Sequence, residues 1–147
     1  MKNVMLIAAI ATMTASVQAA EFGIASVHDY DANKNGTRVS AQLSSKMFGV
    51  APTISATLVE NAYNRYAIGG KLELAKVGPL TLDAVGSGVY QDSVGRSDGY
   101  ALTAGVAATY KVNDTVSVTA GIEQQRGQDR IESFNGNTTS VGVKINM

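Results

Sequence analysis

The chain has 147 residues, with twelve Lys and Arg against twelve Asp and Glu, no cysteine and no tryptophan. Balanced charge without a basic cluster offers nothing to track a phosphate backbone, which excludes nucleic acid as the expected partner. The lack of cysteine excludes a disulfide framework and thiolate chemistry.

The first twenty residues, MKNVMLIAAIATMTASVQAA, place Lys2 before an apolar run from Val4 to Met13 and then a series of small residues. This is the pattern of a secretory signal peptide. The run is about ten residues, against the roughly 20 a helix needs to cross a bilayer, so it reads as a leader and not as an anchor. Cleavage is expected after Ala19 or Ala20, leaving residues 21–147 as one domain. No second long apolar stretch follows, so a membrane role would fall to β-strands.

Beyond the leader, apolar residues recur at every second position between turn-like clusters, and no window carries a helical period. The pattern predicts eight strands: Phe22–Tyr30, Thr37–Met47, Thr53–Asn61, Tyr66–Lys76, Leu80–Tyr90, Tyr100–Tyr110, Thr115–Gln125 and Thr138–Met147. These lengths suit tilted strands that cross a bilayer. Three connections read as short turns: FGVAP (48–52), VGP (77–79) and KVND (111–114). DANKNG, the segment around NAYN, DSVGRSD and RGQDRIESFNGN read as longer and more polar loops. Short and long alternate along the chain, so four hairpins place all the turns at one end and all the loops at the other. In a transmembrane barrel these ends would be periplasmic and extracellular.

Each strand divides into two faces. The sixth sets Tyr100, Leu102, Ala104, Val106, Ala108 and Tyr110 against Ala101, Thr103, Gly105, Ala107 and Thr109. A soluble, calycin-like barrel that binds a small apolar ligand would turn the first set inward. Two features favour the opposite. Aromatic residues of the apolar parity fall at strand ends, Tyr30, Tyr66, Tyr90 and Tyr100 toward the loops and Phe22 and Tyr110 toward the turns, as in interfacial belts. The other parity is mostly small, which suits the lumen of a narrow barrel better than a surface in water. Lipocalins usually carry a Gly-x-Trp, and this chain has no tryptophan.

The last eight residues, SVGVKINM, alternate as a strand whose edge needs a partner; the first strand, Phe22–Tyr30, would supply it and close a cylinder. They also carry a polar residue, then Gly two on, then apolar residues five and seven on: Ser140, Gly142, Ile145 and Met147. In this pattern, with the leader and the eight strands, the chain resembles the small outer-membrane β-barrels, a class that includes the transmembrane domain of outer-membrane protein A, outer-membrane protein X and the opacity proteins. The resemblance implies an eight-stranded antiparallel up-and-down transmembrane β-barrel in the outer membrane of a Gram-negative bacterium, inserted by the barrel assembly machinery. Members usually end in Phe, where this chain has Met147.

Candidate chemistry is sparse. On the inferred lumen face lie Arg38, Gln42, Lys46, Lys71, Glu73, Asp83, Glu123 and Lys144, expected as a paired charge network that plugs the barrel, with a narrow ion path as the alternative. HDYDANKNG spaces Asp29, Asp31, Asn33 and Asn35 like the start of a calcium loop but lacks its Gly and Glu, so it reads as a hairpin with Asn35-Gly36 at the turn and no metal is expected. His28 is the one histidine and has no nucleophile–base motif beside it, which argues against an enzyme such as a lipid A modifying barrel. In the fourth loop Arg126, Arg130 and Phe134 are candidates for adhesion or for contact with lipopolysaccharide. The sequence therefore points to a non-enzymatic barrel without a cofactor, in a structural or surface-interaction role.

Overall fold

The computed structural model describes residues 19–30, 33–43, 48–93, 99–127 and 136–146. Of the expected leader (residues 1–20), residues 1–18 lie outside them and Ala19 and Ala20 fall in the first strand. Eight strands follow one another: β1 (Ala19–Asp29), β2 (Lys34–Leu43), β3 (Val50–Val59), β4 (Tyr63–Val77), β5 (Leu80–Ser93), β6 (Gly99–Lys111), β7 (Val116–Gly127) and β8 (Gly136–Asn146). Each pairs antiparallel with the next, and β1 pairs with β8 to close a barrel. The period-two pattern thus resolves into an all-β up-and-down barrel, in which backbone groups are satisfied between strands and no sheet edge is left over.

The seam runs from Glu21 opposite Asn146 to Asp29 opposite Thr138. Here a glycine is required by proximity: a Cβ on Gly142 would stand 2.6 Å from the Ala25 Cα. Register also fixes the barrel's geometry. Following paired residues from Tyr100 leads through Tyr90, Tyr66, Ala56, Val39, Ile24, Val143 and Val118 to Tyr110, ten residues further along the same strand. That stagger across eight strands corresponds to a tilt of about 40° from the barrel axis.

The connections depart from the expected asymmetry. At the end without the termini they span 30–33, 60–62, 94–98 and 128–135; at the other end, 44–49, 78–79 and 112–115. Only 128–135 is distinctly long. The polar residues read as loop are drawn into strands because hairpin pairing continues through them, as in Tyr63 opposite Ser93 and His28 opposite Asn35. Asn35-Gly36 accordingly lies inside β2, and the left-handed residue beside the first loop is Asn33, with φ 51°. An Asn tolerates that conformation because its short polar side chain can bond locally.

Apolar side chains point outward. On β6, Tyr100, Leu102, Val106 and Tyr110 are 65%, 57%, 45% and 53% exposed, whereas Ala101 and Thr103 between them are buried. The calycin-like alternative requires the reverse parity and does not hold. Tyr66, Tyr90 and Tyr100 form an outward row across three strands, with ring centroids 6.5 and 5.4 Å apart. Phe22 departs from the expected lower belt: it is half-buried and packs against Val39 and Ala56. Phe48, read as part of a turn, is fully exposed at the termini end with Tyr110. Inside, Val27, Val59, Val89 and Ala101 are buried toward the loop end.

Val106 lies outward near mid-height. Val106→Arg is expected to destabilise the barrel in lipid by roughly 2–4 kcal/mol, the cost of a cation at the bilayer midplane. Urea unfolding in vesicles, followed by far-UV circular dichroism, checks this.

Candidate functional site

Small side chains at most inward positions leave the lumen just wide enough for a few long polar ones, and these gather in three layers. Nearest the termini, the Glu21 carboxylate accepts from Lys71 at 3.3 Å and lies 3.6 Å from the Lys144 ammonium. Asp83 stands on the other side of Lys71, with its Oδ2 at 3.9 Å. That oxygen is buried without a hydrogen bond to a described residue. A cavity of about 190 Å³ adjoins it, lined by Gln42, Thr81 and Thr109 among others. A water needs only about 10–15 Å³ of such space.

The middle layer is one forked pair. Arg38 donates from Nη1 and Nη2 to the two Glu123 oxygens, at 3.1 and 2.8 Å, and from Nε to the Thr57 hydroxyl at 3.1 Å. All three guanidinium nitrogens are therefore hydrogen-bonded, two of them in a fork on one carboxylate, which is the geometry that makes a part-buried ion pair tolerable. Between this pair and the lower cluster is a cavity of about 130 Å³ whose wall includes Gly23, Ala25, Ser40, Ser55, Gly121 and Ser140.

The third layer closes the loop end. Tyr63 donates its hydroxyl to Asp29 at 2.5 Å, and the Arg65 guanidinium lies 4.5 Å from the Tyr63 ring centroid. Arg65 also donates to Gln91 Oε1 from Nε and Nη2, at 3.3 and 3.2 Å, and Gln125 donates to the same oxygen at 3.0 Å. Asp29, Arg65, Gln91 and Gln125 are all buried. Below them the Ser87 and Thr103 hydroxyls bond each other across β5 and β6.

Of the expected lumen residues, Arg38 and Glu123 meet directly, Lys71 and Lys144 meet at Glu21, and Asp83 stands beside Lys71. Lys46 lies outside the described residues. Glu73 lies opposite Asp83 and lines the same lower cavity, but it is exposed at the mouth and forms no ion pair with a described residue. Pairing of β3 with β4 stops at Leu72, and the β4 register shifts between Glu73 and Ala75. Glu21, Tyr63, Arg65 and Gln91 fall just outside the predicted strands, and Gln125 is the uncharged last residue of one. Their parity with Gly23, Lys71, Asp83 and Glu123 was the available signal.

The remaining candidates separate. Ser140 lines the lumen cavity, Gly142 sits at the seam and Ile145 faces outward; Met147 lies outside the described residues. Arg126 is not in a loop but exposed on the outward face of β7, opposite Leu102. Arg130 and Phe134 lie outside the described residues. The calcium-like spacing disperses its donors: Asp29 turns into the lumen, and Asn35 on the outside meets His28 Nδ1 at 2.7 Å. Asp31 lies outside the described residues. Among the described residues no group of His, Asp and Glu could hold a metal ion. His28 stands edge-on to Tyr30, with ring centroids 4.7 Å apart.

Solved structures with the same arrangement include the N-terminal β-barrel domain of Pseudomonas aeruginosa OprF, at 13% identity and a TM-score of 0.69, covering 88% of this chain and 98% of that one. The Yersinia pestis attachment invasion locus protein Ail matches at 11% identity and a TM-score of 0.60, over 86% and 95%. A de novo designed transmembrane β-barrel matches at 12% and 0.63, over 86% and 93%. The fold is that of the small outer-membrane β-barrels. No protein-family model matches the chain, and no curated protein matches it by sequence.

Arg38→Ala would strand the Glu123 carboxylate in the lumen and is expected to cost about 3 kcal/mol, whereas the double replacement Arg38→Met, Glu123→Leu removes both charges and is expected to lie within about 1 kcal/mol of the parent. Denaturant midpoints of the three proteins in one detergent make the comparison.

Proposed function

We propose that the protein is a non-enzymatic barrel of the outer membrane of a Gram-negative bacterium, serving as a structural element of the envelope that contacts lipopolysaccharide at its outer rim. One observation carries this reading: the side chains an aqueous protein would hide are on the outside, rimmed by Tyr30, Tyr66, Tyr90 and Tyr100, while the lumen is filled by paired polar groups. An apolar exterior needs lipid, and aromatic rings settle at its two interfaces.

In that setting the end carrying the termini faces the periplasm and the 128–135 loop faces outward. The filled lumen supports a plug rather than a pore, since the Arg65, Gln91 and Gln125 layer lies across the loop end. Three of the four outer connections are short and leave little surface for a large adhesive partner, which favours lipid over protein as the contact. The pattern at Ser140, Gly142, Ile145 and Met147 supports recognition by the barrel assembly machinery.

Fractionation of the host envelope followed by gels of boiled and unboiled sample tests the reading. The expected result is a membrane-bound band whose mobility shifts only on heating. A protein recovered wholly in the soluble periplasmic fraction would overturn it.

A further inference from the structure

The outward face is not uniform around the barrel. Along the β3–β6 side it is apolar up to the tyrosine row. On β7, β8, β1 and β2 the apolar residues stop lower. Val118, Val143, Ile24 and Val39 form one apolar row in register; Ala120, Ile122 and Val141 carry it a little higher on β7 and β8, and beyond them toward the loop end it gives way to Ser26, Thr37, Thr139 and His28, with Gln124 and Arg126 beside them.

Strand tilt converts register into depth. At about 40°, one residue along a strand changes height by about 2.6 Å and one step between strands by about 3.1 Å. On that scale Tyr30, Tyr100 and Arg126 share one level, and Ser26, Thr37, Gln124 and Thr139 lie roughly 6–10 Å below it. At the same depths the opposite side presents Ile68, Gly88, Leu102 and Ala104. The apolar band is therefore about 25 Å tall on one side, the usual value, and roughly 15 Å on the other.

No outward position on the described parts of β7, β8, β1 and β2 is acidic. The polar area spans four strands, about 15 Å wide at 4.8 Å per strand, and mixes hydroxyl, amide and imidazole groups with one exposed guanidinium. His28 is held in place by Asn35 and Tyr30.

We propose that this face is a docking site for the headgroup of an anionic glycolipid of the outer leaflet, a phosphorylated disaccharide whose sugars lie against Ser26, His28, Thr37 and Thr139 and whose phosphate meets Arg126. Hydroxyl and amide side chains are the donors and acceptors a sugar requires, and an arginine fork fits a phosphate. The width of the area exceeds what a single phosphoglycerol would cover. Seating a headgroup there also relieves the mismatch between a short apolar band and the surrounding hydrocarbon. The inference rests on the membrane reading above and gives its lipid contact a location on the strands instead of the loops.

The test uses the mature chain in phosphatidylcholine nanodiscs, with single cysteines at Ser26, Thr139 and, as the control at matching depth, Ala104, each first shown to keep the heat-dependent gel shift. An impermeant maleimide is expected to label Ser26→Cys and Thr139→Cys several-fold faster than Ala104→Cys. Adding a deep-truncated lipopolysaccharide is expected to slow those two several-fold, and Arg126→Ala to abolish the protection. If Ala104→Cys labels as fast as the others, the outward face is not in lipid and the membrane reading itself fails. If Ala104→Cys is shielded but Ser26→Cys and Thr139→Cys are equally shielded, or gain no protection from lipopolysaccharide, only the docking site is overturned. Equal protection by phosphatidylglycerol would likewise overturn it, because the sugar would then contribute nothing.

Discussion

A strand surrounded by hydrocarbon has no water to satisfy its backbone, so every outward-facing residue of this protein depends on the hydrogen bonds between β1 and β8 that turn a sheet into a cylinder. The close approach at Gly142 and Ala25 is where the two ends of the sheet meet. Once the ring is closed, its stagger of ten residues sets the tilt, and the tilt sets which side chains share a depth. The tyrosine rim, the layered lumen and the uneven apolar band are all consequences of that single register. A slip of one residue anywhere on the ring would exchange lumen and lipid faces along a whole strand.

The lumen shows how charge survives in such a place. Arg38 and Glu123 are forked together, and Glu21 is shared by Lys71 and Lys144, so each charge that crosses the narrow interior has an opposite within reach. At the loop end the closure is made differently, by an arginine against a tyrosine ring and two amides. Apolar packing of Val27, Val59, Val89 and Ala101 lies at that same end. The interior therefore tightens toward the loops and loosens toward the termini, where both cavities lie.

Parity was the legible part of the sequence. The alternation in SVGVKINM and in β6 was enough to recover the strand order, the closing partner of the last strand and which side chains face out, because register in a barrel is a period-two property. Strand ends were less legible. Arg65 and Gln91 look like loop residues in a hydropathy reading, yet they belong to β4 and β5, since hairpin pairing rewards each added backbone pair whatever the side chain. Glu73 shows the converse: parity places it on the lumen side, where it lines the lower cavity, yet its place at the mouth leaves it exposed and without an ion partner among the described residues. Arg126 likewise reads as loop from its charge but belongs to β7. The uneven height of the apolar band could not be seen at all until the stagger was known, because depth depends on how far around the ring a residue lies.

The central claim is that even-numbered positions of β6 meet lipid and odd-numbered ones fill the lumen. Nitroxide labels placed one at a time from position 100 to position 110, in the protein reconstituted in a bilayer, test it directly through collision with dissolved oxygen. Oxygen accessibility is expected to alternate with a period of two, with maxima at 102, 104, 106 and 108 and the most oxygen-rich site near 106. Maxima at 101, 103, 105 and 107, or an accessibility without alternation, would contradict the account.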